Sequence, residues 1–126
     1  MFSWADFLNI SKNLSNGSDE ASYRSSISRA YYATLHLCKQ KLIESDDSFS
    51  EPRGGDTHRQ IIDHYKRQSK GILKTIGIQL DSLKLKRIKS DYKLSPTVTQ
   101  DHSRQAIKLS ETIIGKLENV REDLFD

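Results

Sequence analysis

Tyr23-Arg-Ser-Ser-Ile-Ser-Arg-Ala-Tyr-Tyr-Ala-Thr-Leu-His-Leu-Cys-Lys-Gln-Lys-Leu42 is the stretch that decides the fold. Tyr23, Ile27, Ala30, Tyr31, Thr34, Leu35, Cys38 and Leu42 recur at steps of three, four and one, which places them on one continuous apolar face of an α-helix. Ser18 or Asp19 supplies the N-cap, and the pattern carries the helix to about Glu44. A second stripe, Tyr32, His36, Lys39 and Ile43, lies beside the first. It is less apolar and suits a groove or a subunit contact. Ala30 and Ala33, next to Tyr31 and Tyr32, allow a neighbouring helix to approach closely.

The same reading extends in both directions. Ser3 and Asp6 form a capping pair that opens a first helix through about Leu14, with Trp4, Phe7, Leu8 and Ser11 on its buried side. Asn16-Gly17 ends it. Ser45 to Asp56 is a loop, acidic at Asp46 and Asp47 and broken by Pro52 and Gly54-Gly55. Thr57 is expected to cap a third helix with Ile61, Ile62 and Tyr65 inward, fading by about Gln68. A fourth helix begins near Gly71 and tolerates Gly77, or begins near Ile78; in both cases it runs to about Tyr92. Ser95-Pro96 stops it. Thr97 or Thr99 then caps a fifth helix to about Glu122, with Ala106, Leu109, Ile113, Leu117 and Val120 inward and a frayed end from Asp123. No strand alternation and no repeat interrupt this pattern. The expectation is an all-α, antiparallel up-down bundle of four to five helices in one domain, residues 1–126.

Composition agrees. Among 126 residues, 29% are charged and 35% hydrophobic, and only six glycines and two prolines punctuate the chain, as suits a small helical domain with much surface. The net charge of +3 permits an RNA or phosphate partner without requiring one, since scattered lysines usually form a solvated face. The single cysteine, Cys38, excludes an internal disulfide and sits in an apolar helical stretch. No run has secretory or membrane-spanning length, so a cytoplasmic protein with no membrane contact is expected.

One segment breaks the apolar logic. In Leu85-Lys-Arg-Ile-Lys-Ser-Asp-Tyr-Lys-Leu94, Arg87 and Asp91 fall on the side of Leu80 and Leu83, four residues apart and within pairing reach. A charge there is expensive unless paired. No glycine-rich phosphate loop, paired cysteines or His-Glu-x-x-His helix is present, and the four histidines at 36, 58, 64 and 102 show no ligand spacing. No metal and no cofactor are therefore expected.

Two segments together carry a resemblance. Ser28-Arg-Ala-Tyr-Tyr-Ala33, followed by His36, resembles the Ser-Arg-Ala-Tyr-Tyr-Ala signature in the second helix of small HEPN-domain proteins. Arg87-x-x-x-Asp91-Tyr92 resembles the Arg-x-x-Ala-Asp-Tyr segment of their fourth helix. Thr57-His58 and the run from Gly71 to Leu83 fall at matching places, so the likeness covers roughly Tyr23 to Val120. It implies a helical bundle that dimerises and, in many of the family, a metal-independent ribonuclease with an Arg-x(4–6)-His motif in a shared cleft. Guanidinium groups would hold the scissile phosphate, and an imidazole would move the proton of the 2′-hydroxyl or of the leaving group. In a toxin–antitoxin branch the motif reads Arg-x(4)-Tyr-x-His, and a small nucleotidyltransferase partner adenylylates the tyrosine.

Arg87 and Tyr92 match that pattern, but Leu94 stands where the histidine belongs. A second match, Arg53-x(4)-His58, straddles the Gly-Gly loop. The resemblance thus nominates Arg87, Asp91, Tyr92 and His58 as catalytic residues. Arg29, Tyr32, His36 and Arg87 are nominated for RNA or nucleotide, and Tyr92 for modification. The expected partners are a second copy of the chain, RNA and a nucleotidyltransferase antitoxin. Two further readings stand beside it. One is a non-catalytic module that binds nucleotide, RNA or the nucleotidyltransferase. The other is a structural helical adaptor, with Arg87 and Asp91 closing a buried polar network under Tyr31 or Tyr32.

Overall fold

The computed structural model describes every residue, Met1–Asp126. Five α-helices follow in order: α1 (Ala5–Ser15), α2 (Glu20–Ser45), α3 (Thr57–Lys66), α4 (Gly71–Tyr92) and α5 (Gln100–Leu117). A 3-10 turn at Glu122–Leu124 comes after them, and there is no strand. The expected all-α bundle is realised with five helices. None is long and apolar enough to cross a membrane.

Side-chain caps set the helix starts. Asp19 Oδ1 accepts from the Ser22 N–H at 2.8 Å to open α2. Asp56, and not Thr57, opens α3 by accepting from the Arg59 N–H at 2.9 Å. A carboxylate is the stronger acceptor at the positive end of a helix, so Thr57 is displaced into the first turn. Thr99 and His102 cap α5 reciprocally.

Gly77 does not break α4. A Cβ there would lie 2.8 Å from the Lys66 backbone nitrogen and 3.1 Å from the Ile62 carbonyl oxygen, so the crossing of α3 over α4 requires a glycine. The fifth helix ends at Leu117, short of the expected Glu122, because the chain turns to bury Val120. The tail is also not frayed. The Asp126 N–H donates to Gln68 Oε1 at 2.9 Å, and the Ser69 N–H donates to the Asp126 carboxylate at 3.0 Å.

The second helix is the axis of the bundle and touches the other four. Its apolar face packs Tyr31, Leu35 and Leu42 against Ile62, Leu73, Ile76, Leu80, Leu83 and Ile113, all fully buried. Against α1 and α5 it presents small residues instead, with Ala30 and Ala33 meeting Leu8 and Ile107. That seam is closed by hydroxyls. Ser26 Oγ donates to the Ser11 carbonyl at 2.8 Å and accepts from Ser103 Oγ at 2.8 Å, while Ser11 Oγ donates to the Ser26 carbonyl at 2.6 Å. One turn further on, Thr34 Oγ1 donates to the Ala30 carbonyl at 2.7 Å and accepts from Ser110 Oγ. The hydroxyls of Ser11, Ser26, Thr34, Ser103 and Ser110 all have partners, which is what permits polar side chains at a dry helix junction.

Two cationic clamps complete the frame. Arg24 on α2 donates to the carbonyls of Lys89, Ser90, Lys93 and Leu94 and thereby caps the C-terminus of α4. On α3, Arg59 bonds Asp81 of α4 at 2.9 and 3.2 Å, with Lys66 joining at 2.6 Å. The Arg59 hydrogen bonds hold the Asp81 carboxyl down to about 2.

Ser26→Val is expected to overpack the seam and orphan the Ser103 hydroxyl, lowering unfolding free energy by about 1–3 kcal/mol in urea denaturation. The exposed neighbour Ser25→Val should stay within about 0.5 kcal/mol of the parent.

Candidate functional site

Arg87 lies on the last turns of α4, one helical turn before Asp91, and points into the bundle beside α2. Only 8% of it is exposed. Its guanidinium carbon sits over three aromatic rings, 5.3 Å from Tyr31, 5.5 Å from Tyr32 and 5.8 Å from Tyr92. The rings' negative faces supply attraction but no hydrogen-bond acceptors in the guanidinium plane. Asp91 is the one carboxylate in reach, at 3.6 Å, which is beyond hydrogen-bond length. Ser28 Oγ on α2 holds that carboxylate at 3.2 Å. Arg87 Nε is buried with no partner at all. Arg87 and Asp91 come together as their spacing suggests, with Asp91 part-exposed, but the contact does not saturate the arginine.

His58 reaches the same place from the first turn of α3. Its Nδ1 is 3.0 Å from the Tyr31 hydroxyl, and its ring packs edge-on against Tyr32 at 5.8 Å. Burial, with help from the positive charges of Arg87 and Lys84, lowers its pKa below the ordinary 6.5, so the imidazole is neutral at pH 7. Lys84, almost fully buried, is itself tied to Asp56 at 3.0 Å. Burial raises the pKa of Tyr31 and keeps its hydroxyl protonated. With His58 Nδ1–H donating to the Tyr31 oxygen, Nε2 is a free base. With the Tyr31 hydroxyl donating, Nε2 carries the proton. The phenol therefore supports proton transfer in either direction.

The remaining candidates divide. Tyr32 lies near two guanidiniums, Arg29 at 5.9 Å and Arg87 at 5.5 Å from its ring centre. Arg29 itself is drawn towards α1, over Phe7 at 5.1 Å. His36 stacks on Trp4 with ring centres 3.8 Å apart, and burial lowers its pKa, assisted by Lys39 and His58. Tyr92, 73% exposed, ends α4 with its ring over Arg87. Leu94 lies past the helix end and is fully in solvent, so the position where a motif histidine belongs is off the helix and away from the buried guanidinium. Arg53 is exposed in the loop with its charge near Glu51, apart from the group around His58.

Three participants were not legible in the sequence. Ser28 was visible only as part of a signature, and Lys84 and Trp4 only as helix residues. The Trp4 signal, an aromatic at the start of α1, was read as core, and the residue is half-buried against His36.

If Arg87 were chiefly a structural anchor, removing it would cost about 3–5 kcal/mol as the burial of an unpaired Asp91 set in. Its unsatisfied Nε and long contact to a part-exposed carboxylate lead to the opposite expectation. Arg87→Met should leave the urea unfolding midpoint unchanged or raise it.

No group of three or more His, Cys, Asp or Glu side chains is placed to hold a metal ion. No curated protein and no solved structure matches the chain. The family model for the HEPN domain matches residues 5–120, from the first turn of α1 to the residue buried after α5. The helices that carry Tyr31, His58 and Arg87 all lie inside that span, and the chain belongs to the HEPN-domain family.

Proposed function

We propose that this chain is an RNA-directed HEPN protein, cytoplasmic and of a toxin–antitoxin or defence setting, that cleaves RNA as a homodimer without a metal. Arg87 binds the scissile phosphate, and His58, from α3, takes the place of the histidine replaced by Leu94. The observation that carries this reading is the Arg87 guanidinium, nine-tenths buried, with Nε unpartnered, next to a neutral imidazole that a buried phenol holds in place. A buried cation without acceptors is a binding site for an anion, and a phosphodiester offers the planar pair of oxygens that a guanidinium bonds best. His58 Nε2 takes the proton of the 2′-hydroxyl as that oxygen attacks phosphorus. The 5′-oxygen leaves and is protonated, giving a 2′,3′-cyclic phosphate and a 5′-hydroxyl.

Dimerisation is supported by α4. Ile78, Leu85 and Tyr92, seven residues apart in each step, form an exposed apolar stripe along the helix that carries Arg87. A seven-residue repeat keeps facing one partner helix, so a second copy can pack α4 against α4 there, with Arg87 on the opposite side of the helix, facing α2.

A labelled RNA incubated with purified protein checks the reading. Arg87→Ala should slow cleavage by about 10²–10³-fold and His58→Ala by about 10²–10⁴-fold. Leu85→Asp should give a monomer in light scattering. The rate should fall on the acid side, with its limb below pH 6.5, because only neutral His58 accepts a proton and its pKa is lowered. Absence of cleavage, or cleavage indifferent to Arg87 and His58, would sink it.

The exposure of Tyr92 favours a second reading, in which the same face is silenced or used without catalysis. The Tyr92 hydroxyl stands open to a nucleotidyltransferase partner. Co-expression with a nucleotidyltransferase encoded beside the gene, followed by mass spectrometry, should find an adenylyl group on Tyr92 that is lost in Tyr92→Phe. An unmodified Tyr92 and no complex would remove this reading.

A further inference from the structure

We infer that the cleft between the C-terminal turns of α4 and the start of α5 is a strand-holding subsite for the phosphodiester backbone of single-stranded RNA, separate from the Arg87 face; it rests on the RNA-directed reading above. The cleft has a volume of about 330 Å³ and contains Lys86, Lys89, Lys93, His102 and Gln105 over a floor that includes Ile27. No carboxylate lines it. None of the three lysines is in an ion pair, whereas Lys12, Lys39, Lys66 and Lys84 all are. Of the three, Lys86 is half-buried and Lys89 and Lys93 are exposed.

The ordinary reason for lysines at this position is the negative end of a helix. That requirement is already met by Arg24, which donates to the terminal carbonyls of α4 from the α2 side. The lysine ammonium groups are left without an acceptor of their own. His102 adds a directed donor. Its Nδ1 accepts from the Thr99 N–H at 3.0 Å, so the neutral ring must carry its proton on Nε2. Three cations, an N–H donor and a primary amide in one concave, carboxylate-free site suit phosphate oxygens.

Spacing then selects a strand over a lone phosphate. Lys86 and Lys89 lie three residues apart on one face of α4, and Lys93 follows four residues on as the residue that ends the helix, about 10 Å along the axis from Lys86. Successive phosphates of a nucleic-acid strand, about 3.4 Å apart along a duplex axis, would meet several of these ammonium groups at once. The lysine face and the Arg87 face are different sides of the same two turns of α4, which also separates holding from cutting.

The test is fluorescence anisotropy with a labelled 2′-O-methyl RNA of about 20 nucleotides, which cannot be cleaved because the attacking hydroxyl is blocked, titrated at several salt concentrations. Replacing three phosphate-neutralising lysines should flatten the slope of log affinity against log salt by about 2, and weaken binding about 100-fold at 0.1 M salt. The variant is K86Q/K89Q/K93Q. The control is K41Q/K70Q/K116Q, which removes three unpaired lysines from the opposite end of the bundle and should change the slope far less. An unchanged slope in the first variant, or an equal change in the control, overturns the subsite. Charge reversal by Lys89→Glu should weaken binding further, with the fold verified by circular dichroism.

Outcomes separate this inference from the cleavage reading. If Arg87→Ala abolishes cleavage while K86Q/K89Q/K93Q binds like the parent, the subsite fails and the active-site reading stands. If the triple variant loses its slope while cleavage is indifferent to Arg87, the active-site reading fails and the subsite stands. A parent protein that binds no RNA even at low salt overturns both.

Discussion

A guanidinium held in the wall of a helical bundle with no acceptor for its Nε is the constraint around which this molecule is arranged. Arg87 could be buried only if something offset its desolvation, and the chain offers three tyrosine rings and a carboxylate just beyond bonding distance. Both Tyr31 and Tyr32 come from one turn of α2, so that turn must lie against α4 at a fixed height. The Arg24 cap on the α4 terminus and the Ser28 bond to Asp91 fix that height from the same helix. A large, fully satisfied network would have made Arg87 a structural rivet. The partial one leaves it with unspent capacity for an anion.

The frame that tolerates this is unusually rich in small polar contacts. Because α1, α2 and α5 meet through serines, alanines and Thr34, the helices approach closely and their hydroxyls bond across the junction. The larger side chains are concentrated on the other side, between α2, α3 and α4. The close small-residue contacts thus lie on one flank of α2, and Tyr31, His58 and Arg87 gather on the other. The phenol that His58 bonds belongs to a helix packed on both flanks.

The fold was legible in the sequence because it rests on local periodicity. The apolar face from Tyr23 to Leu42, the alanines at 30 and 33 and the stop at Ser95-Pro96 all act within a few residues. Where the reading left alternatives, as at Gly77, the deciding contact was with a different helix. The candidate site was half legible. Arg87 and Asp91 are four residues apart, and helical geometry alone places them together. The link between Tyr31 and His58 spans 27 residues and depends on how α3 crosses α2, which no spacing rule supplies. His58 was picked out for its distance from Arg53, a coincidence; its actual neighbours are Tyr31, Tyr32 and Lys84. Arg24 left no trace, because its acceptors are main-chain carbonyls some 65 to 70 positions away.

The loop between α2 and α3 is pinned at its two ends, with lighter ties between them in the Lys39–Glu51 ion pair and the Gln60 amide donating to the Gly54 carbonyl. Asp46 binds His64 at 2.7 Å, and Asp56 both caps α3 and holds Lys84, whereas Gly54 and Gly55 take left-handed backbone with nothing within 4 Å of where a Cβ would lie. Asp56 therefore re-sets the chain immediately before His58, whatever precedes it. Extra residues inserted at the glycine pair would lengthen the excursion without transmitting a displacement to the imidazole. At this point the architecture can acquire a new segment, a tether or an address tag, while its chemistry stays in register.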